Sequence, residues 1–221
     1  MIVISIISQK GGGGKSMLAR SLAVQGLMDG ARTCILDADP QGTVMRWSKR
    51  REAVAPTVMA LEGLNIEDAL RQMKKRGGQI AIIDTPPHSQ PIINMAVEAA
   101  DAALLVTGPN PEDLEQVGVA AAIARGLKKP CGIILNKTTV RVTSLSLARA
   151  ALTSFQLPVC PIAISQLVAH PYASADGLTA QEREPESKAA LELAGVWSWT
   201  KTKLILSYDH MLKSSDDPKR A

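Results

Sequence analysis

Two lysines, four glycines and a serine form the segment Lys10–Ser16, and their spacing could bind the phosphates of a nucleotide. The segment follows an apolar run that predicts a strand and precedes a run with helical periodicity. Glycine leaves backbone N–H groups open to an anion, and a helix N-terminus adds unpaired N–H groups. We expect Lys15 to reach the β- and γ-phosphates and the Ser16 hydroxyl to bind Mg²⁺. The alternative is a glycine-rich turn followed by chance by Lys-Ser.

The loop departs from the ordinary phosphate-binding pattern at two positions. Gln9 stands where the first glycine of that pattern would be, and a second lysine, Lys10, lies five residues before Lys15. This is the deviant Walker A pattern, and on these residues the sequence resembles the ParA/MinD family of P-loop ATPases. The resemblance implies an ATPase that binds ATP with Mg²⁺, holds ADP as the nucleotide after hydrolysis has occurred, and forms a homodimer in the ATP state.

In that family the extra lysine reaches the nucleotide of the partner subunit, so the resemblance gives Lys10 a role across the dimer interface. The alternative is that Lys10 only adds positive potential near the phosphates. The other nucleotide-binding positions expected from the loop are Gly11, Gly12, Gly13, Gly14 and Met17.

Aspartates follow two predicted strands whose carboxyl ends should lie near this loop, where doubly wound sheets bind their ligands. Asp37-Ala38-Asp39-Pro40-Gln41 resembles the switch I segment of ParA proteins. The resemblance assigns to Asp39 the positioning or activation of the attacking water, and Asp37 could support the metal shell. The alternative for both is a turn-forming or helix-capping aspartate.

Asp84 ends the apolar run Ile80–Ile83, as in a Walker B strand. We expect it to accept a hydrogen bond from an Mg²⁺-bound water or from Ser16. The following residues, through Pro87, resemble the family's switch II segment; the alternative is a turn aspartate. By the same resemblance Asn136 contacts the adenine, and its alternative is an asparagine in a strand-terminal turn.

Short apolar runs alternate with segments of helical periodicity, which predicts an α/β fold: a doubly wound, mostly parallel sheet flanked by helices on both faces. The predicted strands are Ile2–Ser8, Thr33–Leu36, Thr57–Ala60, Ile80–Asp84, Ala103–Thr107, Gly132–Leu135 and Val159–Pro161. The predicted helices are Lys15–Asp29, Val44–Ala53, Ile66–Arg76, Ile92–Ala99, Glu112–Gly126, Ser144–Ser154 and Ser187–Leu212. Residues 166–186 are predicted to be a surface loop or a short helix. We expect one domain over residues 1–213 and a frayed tail over 214–221.

Composition limits the class of protein. The chain has 221 residues and a formal net charge of +4, with a pI near 9.0, which permits an anionic partner without requiring one. The three cysteines are far apart, as expected of buried thiols in a reducing cytosol. No apolar run reaches the roughly 18 residues of a membrane span, and the N-terminus does not resemble a signal peptide. We therefore expect a cytoplasmic protein.

The resemblance is to small plasmid-type ParA proteins, and it extends over nearly the whole chain. It implies non-specific DNA binding by the ATP-bound dimer, association with the bacterial nucleoid, weak intrinsic ATPase activity, and stimulation by a ParB-type adaptor. Such a motor would partition or position a plasmid, a chromosome region or another cargo. The candidate DNA-binding residues are Arg141, Arg149, Lys201, Lys203 and Lys213. Two alternatives are a MinD-like membrane-surface ATPase and a metabolic P-loop enzyme, although the acidic, proline-containing C-terminus is a poor membrane anchor.

Overall fold

A six-stranded sheet forms the centre of the computed structural model, which describes residues 1–139 and 142–205 and, for residues 142–144, only the backbone. The strand order is β3-β2-β4-β1-β5-β6, and every pairing between these strands is parallel. The strands are β1 (Ile2–Ile7), β2 (Thr33–Asp37), β3 (Thr57–Ala60), β4 (Ile80–Asp84), β5 (Ala102–Thr107) and β6 (Cys131–Leu135). The predicted doubly wound α/β fold is confirmed.

Helices connect consecutive strands and cover both faces of the sheet. Their bounds are α1 (Lys15–Met28), α2 (Thr43–Ser48), α3 (Ile66–Lys75), α4 (Gln90–Ala99), α5 (Pro111–Glu115), α6 (Val117–Gly126), α7 (Val142–Thr153), α8 (Ala169–Ala175), α9 (Ala180–Arg183) and α10 (Lys188–Leu204). None of these described helices has both the length and the apolarity that a membrane crossing requires.

Alternation along the strands supplies both hydrophobic layers, because successive side chains of a strand point to opposite faces. In β1, Ile4 and Ile6 pack in the layer that contains α1 and α10, whereas Ile7 packs in the opposite layer with α4 and α6. The side chains of Trp47 and Trp197 are fully buried in the α1 layer. Each strand is thus apolar on both faces, which is why the strands appear in the sequence as near-continuous apolar runs.

Three predicted elements differ from the described structure in kind or by more than two residues at an end. Val159–Pro161 is not a strand: Val159 makes one isolated bridge to Ile133, and the prolines on either side of Val159 and Cys160 lack the N–H group that a longer ladder needs. The predicted helix Glu112–Gly126 is divided at Gln116 into α5 and α6. Helix α2 ends at Ser48 rather than Ala53.

The segment predicted as a loop or short helix, residues 166–186, contains two short helices, α8 and α9, separated by a turn at Gly177. Ala173 and Ala180 are buried there, so the segment is part of the packed domain. The last seven residues of the predicted C-terminal helix and the predicted frayed tail lie outside the described residues, as do Arg141 and Lys213. The domain boundary therefore stays a prediction.

Candidate functional site

Parallel pairing brings the predicted acidic residues to one edge of the sheet. Asp37 and Asp84 end β2 and β4 as Cα partners, and Ile6 near the end of β1 is also paired with Asp84. The chain leaves β1 through residues 8–14 and enters α1 at Lys15. The glycine loop and both aspartates therefore lie at the carboxyl ends of adjacent central strands, where ligands bind in doubly wound sheets.

The glycine loop depends on glycine at particular positions. Gly12 and Gly14 have φ values of 74° and 93°, a region that L-residues with side chains rarely adopt. A Cβ atom on Gly14 would lie 2.0 Å from Asn136 Nδ2. Both conformation and close packing therefore require glycine at position 14, directly before the first turn of α1.

Lys15 is buried at the start of α1, with 6% of the residue exposed. Its Nζ lies 3.5 Å from the backbone oxygen of Lys10. Burial lowers the pKa of Lys15, while the nearby carboxylates of Asp84 and Asp39 oppose that shift. A buried ammonium facing the open N–H groups of the loop is the arrangement expected of a phosphate-binding lysine.

Asp84 is fully buried, and neither of its carboxylate oxygens has a hydrogen-bond partner among the described residues. Burial raises its pKa to about 7, and the neighbouring Ser16 side chain and Lys15 charge partly oppose that rise. An unpartnered buried carboxylate is costly unless a cation or a bound water compensates it. Carboxylate and hydroxyl oxygens are ligands that Mg²⁺ accepts, so Asp84 and Ser16 fit the predicted metal site.

The two switch I aspartates have different roles. Asp37 is buried, and its two oxygens accept hydrogen bonds from the backbone N–H groups of Asp39 (3.3 Å) and Met45 (2.9 Å). Burial raises the pKa of Asp37, against the effect of these N–H groups. Asp37 thus fixes the loop to the first turn of α2. Asp39 is half-buried, and its Oδ1 accepts from Gln41 N at 2.9 Å.

Lys10 lies at the mouth of the loop, with 52% of its side chain exposed. Its Nζ is 2.7 Å from Asp113 Oδ1 in α5, and this hydrogen bond and charge raise the pKa of Lys10. Only Lys15 of the two lysines is therefore committed to the interior of the loop.

A cavity of about 630 Å³ opens beside the end of the glycine loop, and we call it the P-loop cavity. It is lined by Gly14, Met17 and Asn136 on one side and by residues of α8, including Pro171 and Ser174, on the other. The size lies within the usual range of small-molecule sites. Asn136 Nδ2 donates to Gly13 O at 2.7 Å, so the predicted base-contacting residue also fixes the loop.

The three candidate DNA-binding residues that the structure describes, Arg149, Lys201 and Lys203, are not gathered in one place. Arg149 donates to the carbonyl oxygens of Cys160 and Pro161, each at 2.8 Å, so its guanidinium joins α7 to the segment that follows it. Lys201 is paired with Asp29 at 2.6 Å, whereas Lys203 is exposed.

Sequence reasoning missed two residues of the site. Arg20 is only 8% exposed and lines the P-loop cavity. The sequence did contain an indication of this role, because Arg20 is the only charged residue of α1 after Lys15 and stands in a helix of mostly apolar and small residues. The sequence contained no such indication for Asp113, the partner of Lys10. Glu112 and Asp113 lie in the first turn of α5, and acidic residues are common in the first turn of exposed helices.

A parallel sheet with a glycine loop between its first strand and first helix, and with two lysines in that loop, defines a P-loop nucleotide-binding protein of the deviant Walker A class. Residues 4–179 match the family model described as the CobQ/CobB/MinD/ParA nucleotide binding domain, and the chain belongs to that family. It is an ATPase of the ParA/MinD type, as the loop predicted.

Three similar proteins illustrate the range of the family. The chain is 30% identical over 184 residues to the maintenance of carboxysome distribution protein A of Gloeobacter kilaueensis, covering 80% of this chain and 82% of that protein. The MinC:MinD cell division protein complex of Aquifex aeolicus matches with a TM-score of 0.74 and 16% identity, over 91% of this chain and 96% of the other. The ATP complex of Cyanothece McdA matches with a TM-score of 0.69 and 18% identity, over 92% and 96%. At these identities the two structures show the shared fold.

Proposed function

We propose that this protein is a Mg²⁺-dependent ATPase that forms a homodimer in the ATP state, binds DNA non-specifically as that dimer, and positions a cargo. The main support for this proposal is that the two lysines of the loop differ in burial. Lys15 is buried in its own phosphate site, whereas Lys10 is largely exposed at the mouth, where a second copy can meet it.

Chemistry at the site needs orientation of water and neutralisation of charge more than covalent help from the protein. Lys15 holds the β- and γ-phosphates of its own subunit, and Lys10 adds a positive charge to the γ-phosphate bound by the partner. Asp39 orients the attacking water. Mg²⁺, held through Ser16 and Asp84, supplies neutralisation of charge on the phosphate oxygens when it is bound.

Weak intrinsic turnover, stimulation by an adaptor of the ParB type, and nucleoid association in the cytoplasm belong to the same proposal. They rest on the family and on the similarity to proteins named for partition and positioning. The MinC:MinD complex is an example of a protein with this fold that takes a protein partner.

For the DNA-binding surface we propose the amino edge of the sheet, opposite the nucleotide site. Helix C-termini and the residues just before the strands meet there, because the strands are parallel. We call this the basic edge; its members are Arg32, Lys74, Lys75, Arg76, Lys128, Lys129, Lys201 and Lys203. Arg32 Nε donates to Gly77 O at 2.7 Å. This hydrogen bond joins the residue directly before β2 to the turn after α3, which carries the other basic residues nearby.

The basic edge carries more cations than carboxylates, although the exposed Asp101 lies there directly before β5. Acidic residues gather at the carboxyl edge, among them Asp37, Asp39, Asp84 and Asp113. At the basic edge, Asp29 is already paired with Lys201. Cations at helix C-termini also complement the helix dipole, but Lys74, Lys75 and Arg76 are all exposed and can contact phosphates as well.

The test is binding to arbitrary-sequence duplex DNA with ATP, with ADP and without nucleotide, at several salt concentrations. Wild type should bind only with ATP, and Lys74→Gln/Lys75→Gln should bind more weakly with a salt slope smaller by about 2 per chain, since each phosphate contact contributes about 0.9. Lys188→Glu is the matched control: it changes the net charge by the same two units at an exposed position on α10.

Equal weakening by Lys188→Glu would contradict the assignment to the basic edge. Absence of ATP-dependent binding in wild type would refute the DNA role, and the ATPase activity of the same samples would show whether the nucleotide site is intact.

A further inference from the structure

Arg20 lies at the meeting point of the glycine loop, the P-loop cavity and α2. Its Nε donates to Ser16 O at 3.0 Å, and its Nη1 donates to Ser174 Oγ at 2.7 Å in α8. Its guanidinium carbon is 5.5 Å from the ring centre of Trp47, which belongs to α2. One side chain therefore contacts the first turn of α1, the cavity wall and the helix that follows switch I.

A second arginine, Arg50, also hydrogen-bonds to Ser174 in the cavity wall. Arg50, just beyond α2, donates from Nε and Nη2 to the carbonyl oxygen of Ser174, at 3.1 and 3.0 Å. Ser174 is thus bound through its hydroxyl by Arg20 and through its backbone by Arg50. The Trp47 indole donates to Leu178 O at 3.1 Å and adds a third link between α2 and the segment after α8.

The other end of α2 is fixed to the switch I aspartates. Asp37 accepts from Met45 N at 2.9 Å, and Gly42 N donates to Asp39 O at 2.8 Å. Helix α2 has only six residues. A displacement of its C-terminal end is therefore carried over little more than one helical turn to the residues that hold Asp39.

We propose that Arg20 is a positioning residue that couples a nucleoside bound in the P-loop cavity to α2, and through α2 to Asp39. A base that presses on α8 moves Ser174, and Ser174 moves the two arginines and Trp47. The inference rests on the nucleotide-binding role of this site. Its consequence is that the phosphates alone do not set the switch I position that hydrolysis needs.

An apolar residue would fill the space at position 20 at lower cost than a buried charge does. Burial lowers the pKa of Arg20 to about 10, against the attraction of Asp84. The guanidinium is the group that can reach two hydrogen-bond acceptors and an aromatic face at once.

Trp47 fluorescence is the readout, because Trp47 lies between Arg20 and Arg51 and would report a movement of α2. The signal is assigned by subtracting the spectrum of Trp47→Phe. Wild type should respond to saturating Mg-ADP and respond about five-fold less to Mg-pyrophosphate, which fills the phosphate site without a base.

Arg20→Met should lower the response at saturating Mg-ADP by about five-fold or more, and calorimetry gives the Kd for ADP from which the saturating concentration of each variant is set. Ser174→Ala removes only the hydroxyl that Arg20 contacts, so it tests the same link in a protein that is expected to fold normally. Arg71→Met is the matched control, since Arg71 is exposed and paired with Asp68 at 2.8 Å; its response should equal that of wild type.

An equal response of wild type to pyrophosphate and ADP would overturn the proposal, as would an unchanged ADP response in both Arg20→Met and Ser174→Ala. Failure of wild type to bind ADP in calorimetry would instead refute the nucleotide site itself.

Discussion

Lys10 Nζ lies 2.7 Å from Asp113 Oδ1 of the same chain, so the lysine expected to act on a partner's nucleotide is held by its own α5. Asp113 is the less exposed member, with 16% of its side chain accessible against 52% for Lys10. The Asp113 side chain also packs against Gly108, where an added Cβ would lie 2.2 Å from Oδ2. The carboxylate is therefore the fixed member of the pair and the lysine the movable one.

Asp113→Asn should strengthen ATP-induced dimerisation, because Lys10 must leave this ion pair to reach the partner. An exposed ion pair contributes little and a dimer releases two of them, so the dimer dissociation constant should fall by at most about five-fold for each of the two pairs. Sedimentation in ATP at several protein concentrations measures it.

Glu115→Gln, at the other end of α5, is the control and should dimerise as wild type does. If Asp113→Asn dimerised more weakly than wild type, Asp113 would be a support of the active arrangement of Lys10 and not a competitor for it.

Asp84→Asn should stabilise the nucleotide-free and metal-free protein at neutral and alkaline pH. Burial raises the pKa of Asp84 from 3.8 to about 7, so the folded state disfavours the ionised form. The resulting loss of stability is absent below about pH 4, grows between pH 4 and 7, and is complete above pH 7. Because each unit of pKa shift corresponds to roughly 1.4 kcal/mol, the loss of folding stability reaches about 4 kcal/mol at most.

Chemical unfolding of wild type and Asp84→Asn between pH 4 and 8 checks this, with the exposed Glu98→Gln as control. The difference between wild type and Asp84→Asn should widen with pH, and Mg-ADP should stabilise only wild type. A difference that does not change with pH would show that the Asp84 carboxylate is compensated in the free protein.

Gly14→Ala should weaken nucleotide binding while the domain still folds. Alanine at φ 93° costs on the order of 1–3 kcal/mol, and its Cβ would displace Asn136 from its bond to Gly13 O. We expect affinity for ADP to fall by about ten-fold or more. Calorimetry measures the affinity, and circular dichroism confirms the fold.

Gly126→Ala is the matched control, because a Cβ at that position of α6 meets no atom within 4 Å. It should bind ADP normally. Normal binding by Gly14→Ala would show that the loop tolerates a side chain at its last position.

The strands and the loop could be predicted because their signals are local. Ile80–Asp84 is an unbroken apolar run with one acid at its end, and the structure has a strand with those bounds. Val159–Pro161 looked similar but is bounded by prolines and makes a single bridge. Local composition cannot distinguish a strand from one isolated extended pair.

The couplings within the site could not be predicted, because they join residues far apart in the chain. Arg20 and Ser174 are 154 positions apart, and Lys10 and Asp113 are 103 apart. Neither Ser174 nor Asp113 belongs to a motif of fixed spacing. Only the packing of α8 and α5 against the glycine loop brings these pairs together.

Asp39→Ala should retain ATP binding and dimerisation and lose hydrolysis by about 100-fold, the ordinary contribution of a residue that orients or activates water. Asp39→Asn distinguishes the role in hydrolysis from a role in holding the turn. Asparagine keeps an oxygen that can accept from Gln41 N, but it carries no charge. Phosphate release under single-turnover conditions measures the rate. Unchanged hydrolysis in both variants would remove Asp39 from the mechanism.

We expect ATP to join two copies of this chain through Lys10. The most direct measurement is sedimentation of wild type and Lys10→Ala with ATP, with ADP and without nucleotide. Wild type should become a dimer only with ATP, whereas Lys10→Ala should fail to form the stable ATP dimer and still bind ADP with the affinity of wild type. A Lys10→Ala protein that dimerises and hydrolyses ATP as wild type does would contradict the account.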